Sequence, residues 1–141
     1  MKNAICTAIG IVGGFIANLF GGWDAALTTL VLAMAIDYAS GLIVAGVFHS
    51  SPKTHGGGLD SRVGWKGLAR KFVTVLIVVV ANLADVLLEL HYIRDAVIIG
   101  FCANECISIL ENAGLMGIRI PGVLREALEK LSEEGQDGTA A

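Results

Sequence analysis

Charge is scarce in this sequence. Asp, Glu, Lys and Arg together supply 16% of its 141 residues, against ~25% in soluble domains. What replaces them is apolar: 55% of the chain is hydrophobic, and the 18 glycines raise the share to roughly two-thirds, against ~45–50% by the same count in soluble proteins. Mean hydropathy is +0.71. A chain this short buries only ~60–70% of its unfolded surface, too little to hide that much apolar area from water. The excess must face lipid, so the chain is expected to be an integral membrane protein.

Other absences narrow the function. A formal charge of −3 provides no basic face for nucleic acid. Three cysteines, an odd number outside a disulfide-scaffold composition, read as free thiols. Cys102 and Cys106 stand one helical turn apart, but no second Cys/His pair completes a tetrahedral zinc site. They read as small apolar packing residues. There is no Ser/His/Asp spacing, no HExxH, no GxGxxG and no nucleotide loop, since no Gly-Lys-Ser/Thr follows Gly56-Gly57-Gly58. His49 and His55 read as solvated loop residues. Neither catalysis nor a cofactor or metal is expected.

Four apolar stretches, at about 4–20, 25–48, 72–90 and 96–114, approach the ~20 residues that a helix needs to cross a bilayer. Only Lys2 precedes the first, and no convincing small-x-small site follows it, so it reads as an uncleaved span rather than a signal peptide. Lys2, Lys53, Arg62, Lys66, Arg70, Lys71, Arg119, Arg125 and Lys130 fall on one side of four spans, and only Arg94 on the other. Cationic loops stay in the cytoplasm, which puts both termini and the loop 49–71 inside. Arg62, Lys66, Arg70 and Lys71 form its basic anchor, and Trp23 suits an interfacial aromatic belt. Gly56 to Gly58 read as a flexible linker.

The expected fold is therefore all-α: four transmembrane helices arranged as two antiparallel hairpins in a membrane domain, 1–118. A short cytoplasmic amphipathic helix, 119–134, follows. Pro121 suits its first turn, and Val123, Leu124, Ala127, Leu128 and Leu131 share one face. That helix either lies on the membrane or joins a partner. Residues 135–141 read as a disordered tail.

Every span carries small or polar residues at helical spacing. Gly10, Gly14 and Asn18 form a small-xxx-small pattern that allows close helix approach, and Gly41 serves the same purpose in the second span. The second also carries Asp37 and Ser40. In the third, Thr74, Asn82, Asp85 and Glu89 share a face; in the fourth, Asn104, Ser108 and Glu111 do, with Glu105 and Asn112 beside them. A carboxylate at mid-membrane costs ~2.5–3.5 kcal/mol even on the lenient insertion scale, and no Lys or Arg falls inside these stretches to offset Asp37 or Glu105. Such groups must pair, protonate or face water. Two readings stay open: a hydrogen-bonded clasp inside the bundle, or the lining of a lumen built by several copies.

Gly21-Gly22-Trp23-Asp24, then Met34-Ala35-Ile36-Asp37-Tyr38-Ala39-Ser40-Gly41, resembles the toxin-secretion/phage-lysis holin family. The likeness continues through Ser61, Gly64, Lys66-Gly67-Leu68 and Arg70-Lys71. It is strongest over Ala103-Asn104-Glu105-Cys106-Ile107-Ser108-Ile109-Leu110-Glu111-Asn112 and Ile120-Pro121. The resemblance implies a homo-oligomer that gathers in the bacterial cytoplasmic membrane and opens lesions at a set time, letting an endolysin or a toxin cross. It implies no cofactor, no catalytic residue and no stable complex with the endolysin. Its motif positions become candidates for assembly and lining: Asp37, Asn104, Glu105, Ser108, Glu111 and Asn112. A non-pore membrane adaptor and a small transporter are the competing classes.

Overall fold

Residues 1–137 are described by the computed structural model as five helices, with no strand among the described residues: α1 (Lys2–Leu19), α2 (Ala25–Gly46), α3 (Ser61–Leu88), α4 (Ile93–Leu115) and α5 (Gly122–Asp137). Of the expected tail, residues 135–137 belong to the last turn of α5, and 138–141 lie outside the described residues.

Local chemistry sets the helix ends. Gly21 (φ 75°) and Gly22 (φ 107°) take left-handed backbone that side chains disfavour, and the Gly22 N–H returns to the Ala17 carbonyl at 2.9 Å. Asp24 then caps α2, its carboxylate accepting from the Leu27 N–H at 2.9 Å. Asp60 caps α3 by accepting from the Arg62 N–H at 2.8 Å. That cap starts the helix at Ser61, so the segment up to Lys71, expected as loop, is helical. The glycine run is not a loose linker either. Gly57 (φ 77°) presses on the His49 carbonyl, where any Cβ would collide, and its own carbonyl accepts from the Ser51 N–H at 3.0 Å.

Three helices, α1, α2 and α3, are long and apolar enough to cross a membrane. α4, carrying Arg94, Asp95, Glu105 and Glu111, stands outside that set. It is instead the hub of the bundle, packed by α2, α3 and α5. α3 and α4 lie side by side, whereas α1 touches α3 and makes no contact with α2 among the described residues. No residue of α1 is buried, and a Cβ added at Gly10 or Gly14 would meet nothing within 4 Å. The close helix contact expected of that stripe is not made within this chain. α5 folds back along α4, with Arg125, Leu128 and Glu129 facing Ile107, Leu110 and Glu111 across a cleft. Within one chain, the partner of the amphipathic helix is α4.

The inward faces of α2, α3 and α4 share one spacing. Leu27, Leu30, Met34, Asp37, Gly41 and Val44 point inward on α2; Gly64, Gly67, Lys71, Thr74, Val78, Ala81 and Asp85 do so on α3; Arg94, Ile98, Phe101, Glu105, Ser108 and Asn112 do so on α4. Alternating steps of three and four are the seam of helices packed in the coiled-coil manner. Near the two tight turns the seam is apolar: Phe20, Leu27, Leu30, Met34, Val78 and Ile98 form the core. Toward the 47–60 loop it becomes charged.

Candidate functional site

One ionisable residue per helix occupies that seam at a common level: Asp37 on α2, Lys71 on α3 and Glu105 on α4. The Lys71 Nζ donates to Asp37 Oδ2 at 2.7 Å and also to Glu105 Oε2. The three side chains are only 13%, 13% and 10% exposed, in the order Asp37, Lys71, Glu105. Two turns further along α4, the Asn112 Nδ2 donates to Ser40 Oγ at 2.8 Å and to Asp37 Oδ1 at 3.3 Å. Gly41 lies beside this amide: a Cβ there would sit 3.7 Å from its nitrogen, at ordinary contact distance. A cavity of about 100 Å³, lined in part by Asp37, Lys71 and Asn112, leads from the cluster beneath the 47–60 loop.

Two carboxylates share one ammonium here, leaving an excess negative charge. Burying ions costs several kcal/mol each, and mutual attraction repays this only when hydrogen bonds satisfy the remaining lone pairs. Asn112 and Ser40 supply part of that satisfaction. The arrangement therefore binds three helices through charge.

Lys71 corrects the sequence analysis on one point. Grouping it with the loop cations leaves the carboxylates without a cation to offset them; the early start of α3 carries Lys71 into the bundle instead. The signal was present in the sequence. Gly64, Gly67, Lys71, Thr74, Val78, Ala81 and Asp85 keep the alternating spacing unbroken, and a span begun at Phe72 cuts through it. The face of α4 also differs from the expected one. Glu105 and Asn112 are buried and Ser108 half-buried, while Asn104 and Glu111 are exposed.

A second polar centre holds the turn end. Arg94, expected in the turn between the third and fourth spans, is 7% exposed. Its guanidinium donates to the carbonyls of Phe20 and Gly22 and to Asp24 Oδ2 (2.7 Å) and Asp95 Oδ1 (2.8 Å). Asp85 accepts from the N–H groups of Ile93 (3.0 Å) and Arg94 (2.8 Å), thus capping α4, and the Asn82 Nδ2 donates to the Leu19 carbonyl at 3.1 Å. Gly21 is required beside it, since a Cβ there would strike Asn82 Oδ1. Asp24, outside the helical spans, is held below the ordinary carboxylate range by the Arg94 hydrogen bond first and the Leu27 N–H second. These contacts tie the α1–α2 turn to α3 and α4. Asn82 and Asp85, expected among the lining residues, are spent on this knot.

Of the basic residues in α3, Arg62, Lys66 and Arg70 are exposed and none forms an ion pair among the described residues.

An uncharacterised protein of Listeria innocua is 39% identical over 127 residues, covering 88% of this chain and 85% of that one. A protein of Bacillus phage phi105 named a probable holin is 33% identical over 124 residues, covering 87% and 85%. An uncharacterised protein of Bacillus subtilis is 32% identical over 117 residues, covering 82% and 77%. No solved structure matches. Residues 14–133, which include both polar centres, match the bacteriophage holin family. This membrane protein belongs to the bacteriophage holin family.

Proposed function

We propose that this chain acts as a holin: copies assemble in the bacterial cytoplasmic membrane, with both termini inside, and open lesions through which an endolysin, or a toxin, passes. Family membership and the phage phi105 relative named a probable holin support the reading. The observation that carries it is the charged seam in an otherwise apolar bundle. Within one chain, the core of Leu27, Leu30, Met34, Val78 and Ile98 closes the axis, so a lesion needs several copies. The Asp37–Lys71–Glu105 cluster is the clasp of the waiting state, and its charges become lining when the helices part. Asn104 and Glu111, exposed on α4, are candidates for contacts between copies.

Induction beside a leaderless endolysin tests this, with turbidity, released endolysin and membrane-fraction protein followed together. Glu105→Gln leaves one ammonium facing one carboxylate, which tightens the clasp and should delay lysis at normal abundance. Lys71→Gln leaves two carboxylates facing each other and should bring premature lysis or failure to accumulate. Unchanged timing in both variants at wild-type abundance refutes the clasp. No endolysin release from the wild-type protein at high abundance refutes the lesion and leaves an adaptor. For topology, single cysteines replace Ser51 and His91 in a background without Cys6, Cys102 and Cys106. An impermeant reagent should label only position 91 in intact cells.

A further inference from the structure

α3 is longer than a bilayer requires. Its 28 residues rise ~1.5 Å each, about 42 Å in all, against ~30 Å of hydrocarbon. Counting ~20 residues back from Leu88 puts the boundary near Ala69, so the first two turns extend past it. Those turns have two chemically different sides. Gly64 and Gly67 meet α2, where the Tyr38 hydroxyl donates to the Gly64 carbonyl at 3.5 Å and its ring lies near Gly67. The opposite side carries Arg62, Lys66 and Arg70 at four-residue steps, all exposed and none in an ion pair among the described residues. Asp60, the acid that begins the helix, is turned to the Arg62 backbone as its cap.

Apolar surface adjoins these cations. Trp65 is 72% exposed and Phe72 64%, and Lys66 and Arg70 rim a shallow groove with Ala69 and Val73 below them. We propose that this face of α3 binds an anionic phospholipid. Lys66 and Arg70 hold its phosphate, Trp65 sits at the level of the glycerol, and the groove takes the upper acyl chain. Three general tendencies converge on it: basic side chains near a membrane attract anionic lipid, tryptophan prefers the interface, and long cationic side chains reach outward from apolar stems. The site takes Arg70 and excludes its neighbour Lys71, which is committed to Asp37 and Glu105. It is independent of whether the protein opens lesions.

The full chain carrying Trp23→Phe keeps Trp65 as its one tryptophan and is reconstituted in mixed phosphatidylcholine–phosphatidylglycerol vesicles. Either lipid is brominated on its acyl chains at the same mole fraction. Brominated phosphatidylglycerol should quench Trp65 about two-fold more than brominated phosphatidylcholine. Lys66→Gln with Arg70→Gln should abolish that preference, Lys66→Arg should keep it, and Lys53→Gln in the loop should leave it unchanged. Helicity by circular dichroism accompanies each variant. Salt at about 1 M, where screening acts within ~3 Å, should shrink the preference in the protein without the basic-residue substitutions, which keeps the test valid if a variant misfolds. Equal quenching by the two lipids overturns the proposal. So does a preference that survives loss of both cations, or one that persists undiminished at high salt.

Discussion

α1 and α4 both read as membrane spans, and the folded chain treats them in opposite ways. α1 has no charged residue after Lys2, no buried residue and few neighbours. α4 holds Arg94, Asp95, Glu105 and Glu111 and is packed by three helices. The difference teaches where polar groups can be tolerated in an apolar chain. An apolar helix needs no protein partner in lipid, because the hydrocarbon is as good a neighbour as another leucine. A helix with buried carboxylates and amides needs partners for both: Lys71 on α3 donates to Glu105, and Ser40 and Asp37 on α2 accept from Asn112.

The comparison breaks most visibly at Lys71. Replacing it by Gln strips α4 and α2 of their shared cation, and removing one partner of a buried ion pair costs about 3–5 kcal/mol. Denaturant titration of the detergent-solubilised protein should show a loss of that size; a loss under ~1 kcal/mol would mean that water already reaches the cluster. Arg94→Gln comes next. It undoes the knot that joins α1 to the hub, at about 2–3 kcal/mol for hydrogen bonds made by a charged donor. Crosslinks between the α1–α2 turn and α4 should fall with it while helicity is kept.

Acidification sharpens the same contrast more gently. Asp24 has a lowered folded pKa, so its contribution is present above the ordinary ~3.9 and is lost as pH falls through the lowered value. Its side chain is 46% exposed, so the effect is small. Asp24→Asn should flatten that low-pH limb of the stability curve, lowering stability slightly at neutral pH, where the contribution is fully present, and changing little below the lowered pKa. The smallest effect belongs to α1. A Cβ at Gly14 would meet no atom within 4 Å, and in Gly14→Leu a good helix former replaces a poor one, so monomer stability should hold or rise by up to ~1 kcal/mol. If the glycine face joins copies, crosslinked ladders shorten in the same variant. A monomer destabilised by Gly14→Leu would show that α1 packs where the structure leaves it free.

Much of this was determined by the sequence alone. Excess apolar area dictates lipid contact, the Gly21-Gly22 and Asp24 chemistry dictates the first turn and the start of α2, and the motifs from Gly21 to Leu131 indicate the family. These are local or additive properties, readable residue by residue. Tertiary structure decided the rest. Adjacent cations Arg70 and Lys71 carry the same charge, yet one faces outward and the other pairs two carboxylates on other helices. Asn104 and Glu105 divide in the same way between surface and interior. A helix turns ~100° per residue, so the identity of the inward face depends on which partner helices close around it. No single helix contains that information, because Asp37, Lys71 and Glu105 meet only when three distant segments share one seam.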